Sequence, residues 1–225
     1  MFGNRVDAGR RLGVLFKDRE LKSAVVVGIP RGGVPVAFEI AREIGAPLDV
    51  IMVRKLGVPF QPEVAMGAIG EGGVRVIDHE VVAAAHVSDS DFAKVEQMER
   101  TELERRVVLF RRDHRRVSLL EKTVIVVDDG IATGSTARAA CLVAAANGAT
   151  SIILAVPVAP RAVVVELAEV ADEVVCLEMP AKFVAVGTWY ADFNQTRDEE
   201  VVEILRRSIE MPPWRDDVIV GPGIS

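Results

Sequence analysis

The segment 123–136, TVIVVDDGIATGST, limits what this chain can fold into more than any other stretch. An apolar, β-branched run leads into two adjacent carboxylates, Asp128 and Asp129. A turn rich in glycine and hydroxyl side chains follows, and then an Ala-rich helical pattern over about 137–147. This order predicts a buried strand, a turn and a helix. The turn then lies at the carboxyl end of a strand and the amino end of a helix, where anions bind favourably.

The turn has the composition of a site for a single phosphate group. Gly130 and Gly134 allow a tight turn in which several backbone N–H groups can face one anion. Thr133, Ser135 and Thr136 add hydroxyl donors. The turn lacks the lysine of a Walker A loop and the spacing of a dinucleotide glycine fingerprint, so a dinucleotide-dependent oxidoreductase on the same sheet is disfavoured.

The two carboxylates before the turn have a different chemistry. Asp128 and Asp129 cannot bind phosphate, but they can accept hydrogen bonds from a cis-diol or hold Mg²⁺ through water. A phosphate site beside a diol site describes a ribose 5-phosphate. The alternative is a generic strand–turn–helix, although two carboxylates at the end of a buried strand carry a large desolvation cost.

The same segment resembles the phosphoribosyl pyrophosphate (PRPP) signature of the type I phosphoribosyltransferases, in which an apolar run and two acids precede x-x-x-T-G-[GS]-T. The resemblance implies that Asp128 and Asp129 bind the ribose hydroxyls and that loop 132–136, which begins at Ala132, binds the 5-phosphate. It also implies Mg²⁺ that is bound mainly through PRPP and water.

A second strand–turn–helix lies earlier in the chain. Residues 24–28 are predicted as a buried strand, GIPRGG follows, and a helix is expected over 34–44. The sequence alone allows either a tight turn with a solvated Arg31 or a second anion site. In the family that the chain resembles, the corresponding loop, here 29–33 with Arg31 and Gly32, binds pyrophosphate.

Two cations follow the next predicted strand, 48–53. Arg54 and Lys55 would stand at its carboxyl end and face the same crevice as the two loops. A solvated pair is the alternative. The resemblance implies that these cations contact pyrophosphate, with Lys55 and Arg31 assigned to catalysis beside the acid pair.

Residues 57–77 are rich in glycine and proline, and their short apolar pieces 64–69 and 74–77 could pair as a hairpin. We interpret this segment as a mobile flap, because transfer of a ribosyl group passes through a cation-like state from which water must be excluded. Glu63 and Glu71 lie in the flap without an assigned role.

A long charged helix is predicted over 88–112, followed by a basic cluster at 111–116 that includes Arg111 and His114. We interpret this cluster mainly as a solvated face, with contact to nucleic acid or to an acidic partner as the alternative. The three histidines do not have zinc-ligand spacing, so no metal bound by protein ligands is expected.

The rest of the chain completes the predicted architecture. Strands are expected at 151–157 and 173–177, with a helix at 161–170 between them. Five parallel strands alternating with helices predict an α/β fold with a doubly wound, mainly five-stranded parallel sheet flanked by helices. A flap at about 57–77 and a small hood at about 179–197 would complete it.

The hood segment resembles purine-salvage members of the family, through a K-F-V…V-G…D-[YF]-N run. The resemblance implies that Phe183 stacks on a purine and that Asp192 helps to read the base, after a one-residue insertion. Trp189 and Tyr190 could stack on the base or form an aromatic core edge. Ala132 replaces the aspartate of hypoxanthine–guanine enzymes, as in adenine and uracil enzymes, so a 6-oxopurine is in doubt.

Composition sets the remaining expectations. We expect one domain over 1–210 and a tail at 211–225 that docks through Trp214. Two cysteines, a charged N-terminal segment and no apolar membrane span predict a reduced, cytoplasmic protein. The net charge of −6 disfavours nucleic acid as a partner.

The function that we expect is the transfer of a 5-phosphoribosyl group from PRPP to a nitrogen nucleophile, mainly a nucleobase-like small molecule, with release of pyrophosphate. The alternative is a PRPP-sensing regulatory protein that binds nucleic acid with little or no turnover. The assembly that we consider is a homodimer.

Overall fold

The computed structural model describes residues 1–21, 23–112 and 114–210. The predicted tail at 211–225 and its docking through Trp214 lie outside the described residues. In chain order the elements are α1 (Arg5–Val14), β1 (Ala24–Gly28), α2 (Gly33–Ile44), β2 (Leu48–Val50), β3 (Val53–Val58), β4 (Gln61–Gly70), β5 (Val74–Ile77), α3 (His79–Ala84), α4 (Asp89–Arg111), β6 (Thr123–Val127), α5 (Ser135–Ala146), β7 (Ser151–Val158), α6 (Arg161–Leu167), β8 (Glu173–Glu178), a 3₁₀ turn (Val186–Trp189) and α7 (Asp198–Ile209).

Five strands form the central sheet in the order β2-β1-β6-β7-β8, and all neighbouring pairs are parallel. Alternate residues along each strand enter separate cores on the two faces of the sheet. Val26 and Ile125 pack with α1, α2, α4 and α7, whereas Val25 and Val126 pack with α5 and α6. Both faces are therefore covered, as expected of a doubly wound sheet, and the predicted fold class is confirmed.

The predicted strand 48–53 is wrong at its end. β2 stops at Val50, and Val53 begins β3, the first strand of a separate three-stranded antiparallel sheet in the order β3-β4-β5. In β3 the partly exposed Arg54 and Lys55 precede the buried Leu56. Only one face of such a strand is apolar enough to be buried, so it suits an antiparallel sheet better than the centre of a parallel one.

The predicted hairpin within the flap is present. β4 pairs with β5 in antiparallel register, with Gly70 opposite Val74 and Ile69 opposite Arg75. The flap is larger than predicted because β3 joins the same sheet. The long helix α4 packs on β3 and is capped by Ser88, whose hydroxyl accepts a hydrogen bond from the Asp91 amide at 3.1 Å.

Within the described ranges, the helices are all too short or too polar to cross a bilayer.

Candidate functional site

The loop after β6 presents an uncapped helix N-terminus. Gly134 precedes α5 with a φ of +78°, a left-handed conformation that glycine adopts without strain, and no side chain caps the helix among the described residues. Thr133 and Thr136 are exposed, and the hydroxyl oxygens of Thr133 and Ser135 lie 3.4 Å apart. Free backbone N–H groups and nearby hydroxyls at a helix N-terminus form a suitable site for an anion.

The loop after β1 lies directly beside the acid pair. The amide of Ile29 donates to the carbonyl of Val127 at 2.8 Å, which joins the two loops at their base. Helix α2 follows with Gly32 at its N-cap position and no capping side chain. A methyl group on Gly32 would overlap the carboxylate of Asp129, so glycine is required there by close approach. A second uncapped helix N-terminus thus borders the acid pair.

The acid pair itself is poorly compensated. The Asp129 amide donates to Asp128 Oδ1 at 2.9 Å, and Asp129 Oδ2 lies 2.7 Å from Arg5 Nε. Burial, together with the charge of Asp129, raises the pKa of Asp128 well above its usual value. Burial also raises the pKa of Asp129, although the Arg5 guanidinium opposes this shift. Among the described residues, Arg5 is the one cation paired with these two carboxylates, and burial makes their charged forms unfavourable.

Arg5 is a site residue that sequence reasoning missed. Its Nη1 donates to the carbonyl of Asn194 at 2.6 Å, and its guanidinium carbon lies 4.1 Å from the ring centre of Phe193. Arg5 therefore joins α1 to both the acid pair and the hood. Nothing in the sequence marks it, because it lies 124 residues from Asp129.

Arg54 and Lys55 stand on β3 rather than at the end of β2, and their predicted contact with pyrophosphate stays a prediction. Both line a cavity of about 300 Å³ that Ile29 and Pro30 border on one side and Thr136 on another. Arg54 Nε lies 2.6 Å from Glu99 Oε2, and Lys55 Nζ lies 3.4 Å from Glu63 Oε2. These contacts connect both the flap and α4 to the cavity.

Arg31 points elsewhere in this structure. Its Nη1 lies 3.7 Å from Asp198 Oδ1 at the start of α7, and its side chain is 38% exposed. The peptide bond between Pro30 and Arg31 is cis. The predicted contact of Arg31 with pyrophosphate stays a prediction.

The hood aromatics are largely used in packing. Tyr190 is buried: its hydroxyl donates to the Asp129 carbonyl at 2.5 Å, and its ring lies 5.3 Å from that of Phe2. Of the two predicted roles for Tyr190, the structure therefore supports the aromatic core edge. Phe183 is half-buried against the same cluster, and its stacking on a base stays a prediction.

A groove of about 560 Å³ lies on the Arg5 side of the hood. It is lined by acids, amides and arginines, among them Asp192, Asn194, Arg197, Glu203 and Arg207. Asp192 is exposed, and its Oδ1 accepts a hydrogen bond from the Asn194 amide at 3.2 Å. Apolar side chains such as Val6, Pro35 and Ile204 line the groove as well.

The interpretation of cluster 111–116 as a solvated face is wrong for its two best-packed members. Arg111 hydrogen-bonds Asp49 and also binds Glu71 at 2.8 Å, and its side chain is only 11% exposed. His114 is buried, with Nε2 3.2 Å from Asp49 Oδ1. Glu71 of the flap thus has a structural partner.

The described residues contain no group of three or more metal-ligating side chains that could hold a cation. A divalent ion carried by substrate oxygens and water, facing the undercompensated Asp128 and Asp129, fits this donor set better than a protein-ligated ion.

Comparison with known proteins gives one family. The model for the phosphoribosyl transferase domain matches residues 12–192, which include both loops, the acid pair and Asp192. A protein recorded from two strains of Mycobacterium tuberculosis, provisionally named a phosphoribosyl transferase, is 49% identical over 237 residues and matches 99% of this chain. The chain spans about half, 54%, of the length of these curated relatives.

The crystal structure of the protein TT1426 from Thermus thermophilus is also similar. It is 40% identical in sequence, covers 92% of this chain and 98% of its own, and superposes with a TM-score of 0.86.

Proposed function

This chain belongs to the type I phosphoribosyltransferase family, and from that membership we propose that it transfers the 5-phosphoribosyl group of PRPP to a nitrogen nucleophile, with release of pyrophosphate. One observation carries the proposal: the acid pair Asp128 and Asp129, whose negative charges have few partners, lies between two helix N-termini that no side chain of the described residues caps.

In the proposed complex, loop 132–136 holds the 5-phosphate through backbone N–H groups and through the hydroxyls of Thr133, Ser135 and Thr136. Gly130 and Gly134 let the chain turn at this point. Helix dipole and free N–H groups supply the attraction for the anion. The substrate is thus anchored at the end remote from the reacting carbon.

Asp128 and Asp129 accept hydrogen bonds from the ribose hydroxyls in this proposal. Their negative charge also favours positive charge that develops on the sugar as the bond from C1 to the pyrophosphate oxygen breaks. The electron pair of that bond leaves with pyrophosphate, the lone pair of the nitrogen nucleophile forms the new bond to C1, and the nitrogen proton is lost. Catalysis then depends on position and charge rather than on a protein nucleophile.

Arg54 and Lys55, which line the neighbouring cavity, are proposed to stabilise the leaving pyrophosphate, together with Arg31 and the N–H groups near Gly32. Mg²⁺, when bound through PRPP and water, would neutralise part of the pyrophosphate charge. The flap sheet, connected to this cavity through Lys55 and Glu63, is proposed to exclude water during transfer.

The proposed acceptor is a nucleobase-like small molecule in the groove beside Arg5. Asp192 lines that groove and is exposed, which supports its proposed role in reading the acceptor by hydrogen bonds. Ala132 leaves the loop without a carboxylate at this point and disfavours a 6-oxopurine. The regulator alternative gains no support from Arg111 and His114 of the basic cluster, because the Arg111 side chain is 11% exposed and paired with Asp49, and His114 is buried.

The experiment is pyrophosphate release from PRPP with Mg²⁺ and a panel of nitrogen acceptors. We expect turnover with at least one acceptor and a fall of about 10²–10³-fold or more in the double variant Asp128→Asn, Asp129→Asn, because preorganised charge at the reacting centre is lost. Asp18→Asn, an exposed acid of the same type, is the matched control and should retain full activity. Undiminished turnover in the double variant would reject the role of the acid pair.

A further inference from the structure

The long helix α4 lies against the cavity in which the proposed function places pyrophosphate. Two of its side chains, Glu99 and Arg106, line this cavity together with Arg54, Lys55 and Thr136. The cavity therefore carries three cations and one acid from the described residues. A net positive charge in a partly enclosed pocket attracts a polyanion.

The described arginines differ in how many of their nitrogens donate hydrogen bonds. Arg111 is saturated: Nε and Nη2 bind Glu71, Nη1 binds Asp49 and Nη2 also reaches the Val50 carbonyl. Arg105 binds Glu102 through both Nε and Nη2. Such side chains have fixed structural partners.

The two cavity arginines use one nitrogen each, as Arg10 and Arg75 also do outside the cavity. Arg106 uses only Nε, which donates to Glu102 at 2.8 Å, and Arg54 uses only Nε, which donates to Glu99 at 2.6 Å. The Nη1 and Nη2 groups of both residues make no hydrogen bond to any described residue. Their side chains are 34% and 29% exposed, so these donors remain open to a ligand in the cavity.

We propose that Arg106 binds the pyrophosphate group of PRPP and that Glu99 is a counter-charge which pyrophosphate must displace from Arg54. This inference rests on the proposed function and assigns α4 a direct part in it. Guanidinium groups with two free N–H donors match the paired oxygens of a phosphate group. Glu99 keeps Arg54 paired when the cavity holds no anion, and its carboxylate opposes the incoming negative charge.

The test is the affinity of inorganic pyrophosphate, measured by titration calorimetry in the presence of Mg²⁺ and without any acceptor. Arg106→Gln should weaken binding about tenfold, the cost of one charge-assisted hydrogen-bonding group. Arg105→Gln is the matched control, because Arg105 is the adjacent arginine, shares Glu102 as its partner and is 60% exposed. It should stay within about twofold of the unmodified protein.

Glu99→Gln is expected to act in the opposite direction and to strengthen pyrophosphate binding several-fold, since it removes the acid without changing the size of the side chain. Arg106→Lys should recover part of the lost affinity, because it restores the charge but not the two-pronged geometry. These two variants keep the inference testable if Arg106→Gln folds poorly. In turnover, Arg106→Gln should raise the KM for PRPP more than it lowers kcat.

Equal affinities for the unmodified protein, Arg106→Gln and Glu99→Gln would overturn this inference and leave the proposed function standing. If the unmodified protein bound neither pyrophosphate nor PRPP, the inference and the proposed function would fail together.

Discussion

Acidic side chains at two places in the parallel sheet, the buried Asp49 and the partly buried Asp128 and Asp129, have opposite surroundings. Asp49 in β2 accepts hydrogen bonds from Arg111, from the Val117 amide at 2.8 Å and from the Val50 amide at 2.7 Å, and His114 Nε2 lies 3.2 Å from its Oδ1. Asp128 and Asp129 after β6 share one cation, Arg5. The hydrogen bonds and charge around Asp49 outweigh its burial and lower its pKa, whereas burial raises the pKa of both members of the pair.

This difference separates a structural acid from an acid that is ready for a ligand. A buried carboxylate with a full set of partners holds elements together, and here Asp49 joins β2 to the end of α4. A buried carboxylate that lacks partners reduces stability, and proteins retain such groups mostly at functional sites. The contrast therefore supports the proposed role of Asp128 and Asp129 without reference to the resemblance to a family.

The largest predicted effect on stability comes from breaking the cluster formed by Asp49, Arg111, Glu71 and His114. Asp49→Ala leaves Arg111 without one of its two acids and should lower the free energy of unfolding by about 3–5 kcal/mol. The melting temperature would then fall by about 10 °C or more. Thermal unfolding followed by circular dichroism measures this directly; a change of less than about 1 kcal/mol would show that the cluster is not structural.

The same cluster should also make the free energy of unfolding depend on pH in the acid range. Because the folded pKa of Asp49 lies below its unfolded value, its contribution is present above the unfolded pKa of about 3.9 and is lost as pH falls through the folded pKa. Urea unfolding between about pH 3 and 6 should therefore show a smaller pH dependence in Asp49→Ala than in the unmodified protein. Identical slopes would contradict the assignment.

An intermediate effect is expected at Arg5. Arg5→Gln removes the one cation beside Asp129, so the pKa of Asp129 should rise further and the acid limb of the pH–rate profile should move to higher pH. Turnover at neutral pH should fall about tenfold, the value of one hydrogen bond to a charged group. Arg10→Gln, on the exposed side of the same helix, is the control. A uniform loss at all pH values would indicate a purely structural role for Arg5.

The smallest predicted effect is an increase in stability rather than a loss. Asp128 has a raised folded pKa, so stability falls as pH rises from about 3.9 through that pKa. Asp128→Asn keeps an oxygen for the Asp129 amide but carries no charge. It should raise stability near pH 8 by on the order of 1 kcal/mol and change little near pH 4. Lower stability of this variant at pH 8 would show that the charge of Asp128 is compensated after all.

Local signals predicted the parts of the site that are continuous in sequence. The strand, turn and helix over 123–136 were predicted because the apolar run, the acids and Gly134 lie next to one another. The two loops met as expected, since the carboxyl ends of adjacent parallel strands share one edge of the sheet.

The parts that sequence reasoning missed depend on distant partners. Arg111 lies 62 residues from Asp49 and 40 from Glu71, so a basic run on a helix end gave no sign that it is buried. Glu99 and Arg106 are charged positions on a charged helix, and only the packing of α4 on β3 brings them to the cavity. The end of β2 was misplaced because the apolar pattern continues through Met52 into a strand of another sheet.

The most direct test of the central claim is the affinity for PRPP with Mg²⁺, measured by calorimetry in the absence of an acceptor. If the acid pair lacks partners because it binds the ribose hydroxyls, the double variant Asp128→Asn, Asp129→Asn should bind PRPP at least about tenfold more weakly than the unmodified protein, while its melting temperature without ligand is unchanged or higher. Equal affinity in the two proteins would contradict the account.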